Sequence, residues 1–242
     1  MSFSIEGKTA IVTGGANGVG CAIGRHFADQ GANVMFVDMD EDGLVNELGA
    51  AKDEGNVRYF AGDLREKLTM ANLLSATIDH FDQVDILVNA CRQVMVTDPL
   101  GVDDDTTETM LQQNLLNSLR LSQLVARRMI KQAAGNVQSQ IGSIINLSSI
   151  AARRAHPDLM AYSIATAASD QMTRSLAVAL APHKIRVNAV AFGSVMSASL
   201  QETLKENADF RIIFVSDAGC NRVLALRECN IFPERASITT AA

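Results

Sequence analysis

Residues 13–20 read TGGANGVG, and this stretch decides how the rest of the chain folds. A short apolar run at residues 9–12 precedes it and predicts a buried strand. After it, Val19, Ile23 and Phe27 repeat every four residues, as they would on one face of a helix. In a strand–turn–helix unit, glycines let backbone N–H groups approach an anion, and the helix start offers unpaired donors and a favourable dipole. The stretch therefore predicts a phosphate-binding turn.

A carboxylate follows the next predicted strand. That strand spans residues 33–37 and ends on Asp38, eighteen residues after Gly20. An acid at this position can accept hydrogen bonds from the ribose hydroxyls of an adenosine and repels a 2′-phosphate. Strand, glycine turn, helix, strand and acid together predict a dinucleotide-binding site, and the acid favours NAD over NADP.

Length and composition restrict the class of protein. The 242 residues suit one large α/β domain, and a hydrophobic content of 48% allows a substantial core. A net charge of −6 argues against nucleic acid or an anionic membrane as the main partner. The sequence has no secretion signal, no apolar run of bilayer length, and no cysteine or histidine spacing typical of a disulfide or zinc site. We therefore expect a cytoplasmic protein with reduced thiols and no bound metal.

Predicted strands and helices alternate along the chain, which indicates a parallel sheet covered by helices on both faces. The strands are predicted at residues 9–12, 33–37, 57–61, 85–89, 143–147 and 185–191, and the helices near residues 18–28, 41–54, 67–81, 97–133 and 159–181. The expected fold is α/β, a Rossmann-like, doubly wound parallel sheet in three layers within a single domain. In such a sheet, ligands bind beyond the carboxyl ends of the strands.

Polar side chains stand at or near these strand ends. Asp63 can bond an adenine amino group or cap a helix, and Asn89 can hold the loop beside a cofactor ribose or serve as a turn residue. Asn114 lies inside a predicted helix, where asparagine is a poor helix former, so it can bend the helix and hold a water or occupy an ordinary exposed position. Hydroxyls from Ser149 and Tyr162, thirteen residues apart, could converge on a carbonyl oxygen.

Together these residues resemble the short-chain dehydrogenase/reductase family over about residues 3–204. The glycine turn matches the family's Thr-Gly-x-x-x-Gly-x-Gly pattern, and residues 89–91, Asn-Ala-Cys, resemble its Asn-Ala-Gly element with cysteine in place of glycine. The resemblance implies that Asn114, Ser149 and Tyr162 are catalytic, with Tyr162 as general acid or base and Ser149 orienting the substrate oxygen. The cofactor-binding positions it implies are Gly14, Asn17, Gly18, Val19, Gly20, Asp38, Asp63, Leu64, Asn89, Tyr162, Thr166, Gly193, Val195 and Ser197.

The resemblance also implies an activity and an assembly. It favours an NAD(H)-dependent oxidoreductase that acts on a secondary alcohol or ketone, similar to hydroxysteroid dehydrogenases and 3-oxoacyl-carrier-protein reductases. A steroid-like or other hydrophobic alcohol is compatible with the apolar residues Met95, Leu159, Met160 and Met196. The family commonly forms tetramers through its long helices, so we expect a homo-oligomer: a tetramer, or a dimer if the C-terminal tail disrupts one interface.

One departure from the family pattern concerns the residue four positions after the tyrosine, one helical turn away on the same face. The family has lysine there, and this chain has Thr166. An unperturbed tyrosine has a pKa near 10, which leaves about one tyrosinate per thousand at pH 7, and a nearby cation lowers such a pKa by about one to three units. The loss of the lysine leaves two hypotheses: a different cation partly replaces it, or the chain is a catalytically impaired or inactive dinucleotide-binding protein, a sensor or an assembly subunit.

Three arginines near the predicted site are candidates for that cation, or are ordinary solvated loop arginines: Arg92, Arg153 and Arg154. Lys184 opens the sixth strand and is expected at the opposite end of the sheet.

The second departure from the family pattern is the C-terminal tail, which does not follow the family from about residue 209. We therefore divide the chain into a dinucleotide-binding domain at residues 1–208 and a divergent tail at residues 209–242, with short strands predicted at 211–215 and 222–226. A shifted reading frame is one hypothesis for the tail.

Overall fold

The computed structural model describes residues 4–49, 55–133, 140–154, 156–193, 195–196, 224–225 and 237–240. The strands are β1 (Thr9–Thr13), β2 (Asn33–Asp38), β3 (Val57–Ala61), β4 (Ile86–Asn89), β5 (Gly142–Ser149), β6 (Ile185–Phe192), β7 (Val195–Met196), β8 (Leu224–Ala225) and β9 (Ser237–Thr240). The α-helices are α1 (Gly18–Asp29), α2 (Glu41–Leu48), α3 (Lys67–Phe81), α4 (Thr106–Leu111), α5 (Asn117–Ala133) and α6 (Met160–Leu180), with a π-helical turn (Gln112–Leu116) between α4 and α5.

The main sheet has seven strands in the order β3-β2-β1-β4-β5-β6-β9. Neighbouring strands from β3 to β6 are parallel, and β9 is antiparallel to β6. This order confirms the predicted Rossmann-like, doubly wound α/β fold. Strands β1 to β3 extend towards one edge of the sheet and β4 to β6 towards the other, so the strand order switches between β1 and β4. In this architecture, ligands bind in the crevice at such a switch point.

Helices cover both faces of the sheet, because successive strand residues point to opposite sides. On one face, Val12 and Phe36 pack in a core cluster with Leu44 of α2. On the other face, Ile11 and Leu87 belong to the cluster that includes residues of α3, α5 and α6. Burial on both sides explains why the strands are nearly continuous apolar runs in the sequence. The three predicted layers are confirmed.

The fourth predicted helix begins within the predicted segment. It was expected to open within residues 97–108, and its first α-helical residue is Thr106. The backbone N–H of Thr106 donates to the Asp104 carboxylate at 2.8 Å, an Asx-type turn that starts the helix there. A π-helical turn around Asn114 then interrupts the α-helix. The bend expected at Asn114 stays a prediction. The predicted extension of α2 over residues 50–54 lies outside the described residues.

Part of the tail completes the edge of the sheet. The β9 strand pairs with β6 from Asn188 opposite Thr240 to Ala191 opposite Ser237. β9 therefore covers β6 over these residues. An uncovered apolar edge strand would pair readily with other chains and aggregate. The strand predicted at residues 211–215 lies outside the described residues, and of that at 222–226 only Leu224–Ala225 is described, paired with β7. Among the described helices, none is long and apolar enough to cross a membrane.

Candidate active site

The turn between β1 and α1 brings helix and strand into close contact. Gly14 has a φ of +69°, and a Cβ there would lie 3.0 Å from the backbone of Ala90 and Cys91. A Cβ on Gly20 would overlap the carbonyl oxygen of Gly14. Only glycine fits at these two positions, because a left-handed backbone disfavours other residues and the close approach leaves no volume for a side chain.

The start of α1 is open to a ligand. Its N-cap residue, Asn17, is extended and makes no side-chain hydrogen bond to the helix, and the first turn contains no acidic residue. At the end of β2, the Asp38 carboxylate accepts hydrogen bonds from the backbone N–H groups of Ala16 and Asp40, each at 3.2 Å. Unprotected helix donors next to a fixed carboxylate fit the pyrophosphate and ribose of a dinucleotide.

Asp63, after the end of β3, forms an ion pair. Its carboxylate accepts hydrogen bonds from the backbone N–H of Arg65 at 2.9 Å and from Arg65 Nη2 at 2.5 Å. The side-chain hydrogen bond from Arg65 holds the pKa of Asp63 below its ordinary value. The helix-cap alternative is not observed, because the N-cap residue of α3 is Glu66. The predicted contact with adenine stays a prediction.

Thr13 and Asn89 fix the end of β4 and the start of the loop that follows it. Thr13 Oγ1 accepts hydrogen bonds from the backbone N–H groups of Ala90 at 3.0 Å and Cys91 at 3.1 Å. Asn89 donates to Ser122 Oγ at 3.0 Å and to Asn146 Oδ1 at 2.8 Å, while its own buried Oδ1 has no protein partner. Asn89 therefore joins the end of β4 to β5 and α5, and its role beside a ribose stays a prediction. Thr13 was not among the predicted site residues, although it stands first in the glycine-turn pattern.

Asn114 binds the same loop at Gln93. Its Oδ1 accepts a hydrogen bond from the Gln93 N–H at 2.9 Å, and its Nδ2 donates to the Gln93 carbonyl at 2.8 Å. The π-helical turn places this buried side chain, whose exposed fraction is 5%. Direct hydrogen bonds to the backbone thus account for an asparagine inside a helix.

Cys91 lies in this loop, close to the two strand-end carboxylates. Cys91 is an exposed residue, yet the protein around its sulfur partly desolvates the thiol and raises its pKa to about 11, and the charges of Asp38 and Asp63 act in the same direction. A thiol with such a pKa is protonated, and hence weakly nucleophilic, at neutral pH.

Tyr162 is the third residue of α6, and its side chain is 7% exposed. It packs in a cluster with Met110 and Ala165, against which Ala151 also packs. The backbone N–H of Ala151 donates to Ser149 Oγ at 3.2 Å, which leaves the Ser149 hydroxyl hydrogen for another acceptor. The predicted serine and tyrosine therefore both contact the same short segment beyond the carboxyl end of β5.

Thr166 is fully buried, and Arg92 contacts it. Thr166 Oγ1 donates to the Tyr162 carbonyl at 2.7 Å and accepts from Arg92 Nη2 at 2.8 Å. The guanidinium carbon of Arg92 lies 5.2 Å from the centroid of the Tyr162 ring. Of the other candidate cations, Arg153 forms an ion pair with Asp170 at 3.8 Å, and Arg154 is exposed.

The remaining predicted positions lie around the ends of β3 and β6. Leu64 is half-buried against the core on the α3 side, and Gly193 is exposed immediately after β6. Val195 lies in β7, whereas Ser197 lies outside the described residues. Lys184 immediately precedes β6, at the end of the sheet opposite the site, as predicted.

The sequence model of the short chain dehydrogenase family matches residues 8–208. The chain belongs to this family of oxidoreductases. This family member is 30% identical over 213 residues to L-fucose dehydrogenase of Mus musculus, an alignment that covers 85% of the chain and 72% of the relative. It is 29% identical over 189 residues to an NAD-dependent glycerol dehydrogenase of Listeria innocua, with 78% and 71% covered.

A solved structure is similar to this family member over nearly its whole length. The crystal structure of a proposed short-chain alcohol dehydrogenase from Sinorhizobium meliloti superimposes with a TM-score of 0.78 at 26% sequence identity. The superposition covers 92% of this chain and 86% of that one. The similarity supports the observed strand order and the layers described above.

Proposed function

We propose that the protein is an NAD(H)-dependent oxidoreductase that interconverts a secondary alcohol and a ketone. The observation that carries the proposal is the glycine turn. Gly14 and Gly20 leave no room for a side chain there, and no side chain caps the start of α1. A turn of this shape is suited to a pyrophosphate. The family to which the chain belongs supports the reaction class.

In this proposal, the N–H groups at the start of α1 hold the pyrophosphate and Asp38 holds the adenosine ribose. Two backbone N–H groups fix the Asp38 carboxylate at the end of β2. A negative charge there repels a 2′-phosphate, which favours NAD(H) over NADP(H). The Listeria innocua relative is named as NAD-dependent, and this supports the same preference.

Bound NAD(H) would supply the hydride acceptor in oxidation and the hydride donor in reduction. When an alcohol is oxidised, its carbon–hydrogen bond breaks with the electron pair leaving as hydride, and its O–H proton goes to the Tyr162 oxygen. Ser149 donates a hydrogen bond to the substrate oxygen, because its Oγ already accepts from Ala151 and its own hydrogen is free. In ketone reduction, the Tyr162 hydroxyl returns the proton.

For the substrate we propose a secondary alcohol, with two classes to compare. The relatives named for L-fucose and glycerol act on polyhydroxylated compounds, which favours a sugar or polyol. A hydrophobic, steroid-like alcohol is the alternative, because Met95 packs against the Tyr162 cluster. Leu159, by contrast, is only 8% exposed and offers little surface for such a ligand.

A second candidate function is dinucleotide binding without turnover, as in a sensor or an assembly subunit. The observation that favours it is the environment of Thr166, whose hydroxyl is engaged by Tyr162 and Arg92 and carries no charge. Steady-state assays with NAD and NADH on a panel of sugars, polyols and hydrophobic alcohols and ketones separate the two functions. Turnover supports the oxidoreductase, whereas NADH binding with no turnover on the panel supports the second candidate.

We also propose a homo-oligomer that uses the outer face of α6. Ile164 and Val178 are exposed apolar residues of this helix, with exposed fractions of 44% and 67%. Apolar residues on one long helix are suited to a partner copy. Size-exclusion chromatography with light scattering tests this: a tetramer or dimer supports it, and a monomer contradicts it.

A further inference from the structure

We propose that Arg92 supplies the positive charge beside Tyr162 that assists proton transfer from the substrate alcohol. This inference rests on the proposed function, because it assigns a positioning residue to that reaction. Arg92 acts through Tyr162 and is not itself the proton acceptor.

Three contacts from two elements hold the guanidinium. Arg92 Nη1 donates to the Leu147 carbonyl of β5 at 2.7 Å, and Arg92 Nη2 donates to Thr166 Oγ1 of α6 at 2.8 Å. The guanidinium carbon stands 5.2 Å from the Tyr162 ring centroid, within the range of a cation–π contact. Because the guanidinium is planar, two hydrogen bonds to different elements fix its orientation next to the ring.

The backbone on each side of Arg92 is also fixed. On the N-terminal side, the Cys91 N–H donates to Thr13 Oγ1 at 3.1 Å. On the C-terminal side, Gln93 makes two backbone hydrogen bonds with the Asn114 amide, at 2.9 and 2.8 Å. Little conformational freedom is left to lose when the side chain is ordered, which distinguishes Arg92 from a solvated loop arginine.

The charge of Arg92 is not paired at its two hydrogen bonds, because both acceptors are neutral oxygens. Arg153, in contrast, faces the carboxylate of Asp170, which also accepts from Ser148 Oγ at 2.5 Å. Other charged groups on elements near Tyr162 are the exposed Glu108 of α4, the exposed Arg154 and Arg174, and His156 with Asp158 before α6, 3.7 Å apart. Arg92 is therefore the cation whose field acts on Tyr162 with the least compensation among these groups.

A fixed positive charge beside a phenol stabilises the phenolate over the neutral form. In alcohol oxidation, the Tyr162 oxygen must be ionised to accept the alcohol proton. In ketone reduction, the neutral phenol is already the proton donor. Loss of the Arg92 charge should therefore slow oxidation much more than reduction, by at least about tenfold.

The experiment measures kcat for oxidation and reduction as a function of pH in four proteins. They are the wild type, Arg92→Met, Arg92→Lys and the control Arg174→Met, an exposed arginine farther along α6. We expect Arg92→Met to lose at least about tenfold in oxidation kcat, with its rate rising only at higher pH. Arg92→Lys should keep most of the activity because it keeps the charge, and Arg174→Met should match the wild type.

Thr166→Lys in the Arg92→Met background provides the second test, because it returns a cation one helical turn from Tyr162. We expect this change to restore oxidation in that background by at least about tenfold. If Arg92→Met does not fold, Arg92→Gln replaces it as the uncharged variant. Wild type, Arg92→Lys, Arg92→Gln and the double variant Arg92→Gln/Thr166→Lys are then compared in the same way. An active wild type whose uncharged Arg92 variants keep its kcat and pH profile overturns this inference alone. A wild type that binds NADH without turnover overturns the proposed function and this inference with it.

Discussion

The Thr166 hydroxyl donates to the Tyr162 carbonyl at 2.7 Å and accepts a hydrogen bond from Arg92 at 2.8 Å. One buried side chain thus joins the helix backbone at the proposed acid–base residue to the guanidinium from the loop after β4. A threonine is small enough to leave room for the arginine. Thr166 and Arg92 therefore act together in placing a positive charge beside Tyr162.

Replacing Thr166 by valine should destabilise the protein, because it leaves an Arg92 N–H without its acceptor. We expect a loss of about 1–3 kcal/mol in the free energy of unfolding, measured by urea denaturation. The matched control is Thr77→Val, since Thr77 is also fully buried and donates to the carbonyl four residues earlier, Leu73, at 2.8 Å. The control should lose less than about 1 kcal/mol. Equal losses in the two variants would show that the Arg92 contact contributes nothing.

Gly20→Ala should abolish NADH binding, because its Cβ would overlap the carbonyl oxygen of Gly14 and force the turn apart. Gly24→Ala is the control one turn later on α1, where the new Cβ would meet the ring of Phe36 instead. Both variants should be destabilised by about 1–3 kcal/mol through overpacking. Only Gly20→Ala should lose affinity in a fluorescence titration with NADH. Similar affinities in the two variants would place the dinucleotide elsewhere.

Asp38→Ser should weaken NADH binding and strengthen NADPH binding, because it removes a charge-assisted acceptor and the repulsion of a 2′-phosphate. We expect the ratio of the two dissociation constants to change by about ten- to a hundredfold. Asp40→Ser removes a nearby charge from the N-cap of α2 while serine can still cap, so it is the matched control. A ratio that changes equally in both variants would mean that general charge, and not the Asp38 carboxylate, sets the preference.

The Cys91 thiol should react slowly at pH 8, because desolvation and the Asp38 and Asp63 charges raise its pKa to about 11. Raising the pKa of an acid reduces the fraction of thiolate below that pKa. Alkylation by iodoacetamide, followed by mass spectrometry of the Cys91 peptide, should therefore be about a hundredfold slower than for free cysteine and accelerate up to about pH 11. Asp38→Asn should speed the reaction at pH 8. A rate at pH 8 equal to that of free cysteine would contradict this description of the surroundings of Cys91.

The sequence predicts the sheet and the strand-end residues well because both depend on local patterns. Apolar runs mark the buried strands, and Asp38, Asn89 and Ser149 each end a strand as predicted. The glycine spacing similarly predicts the turn at which Gly20 lies against Gly14. In these cases neighbours in the sequence determine the structure, so one sequence is sufficient.

Contacts between distant segments could not be predicted in the same way. The sequence left Arg92, Arg153 and Arg154 as equal candidates, and only the fold brings Arg92 onto Thr166, 74 residues away. The π-helical turn also has no simple sequence signal beyond an asparagine inside a helix. The pairing of Ser148 with Asp170 was not anticipated, because it joins β5 to a buried position of α6.

The most direct test of the central claim is a titration of the purified, folded wild-type protein with NADH, followed by nucleotide fluorescence, with NADPH as the comparison. The claim is that the turn between β1 and α1, together with Asp38, forms the binding site of an adenine dinucleotide. We predict saturable NADH binding that is at least about tenfold tighter than NADPH binding. A folded protein with no affinity for either nucleotide, or with a preference for NADPH, would contradict it.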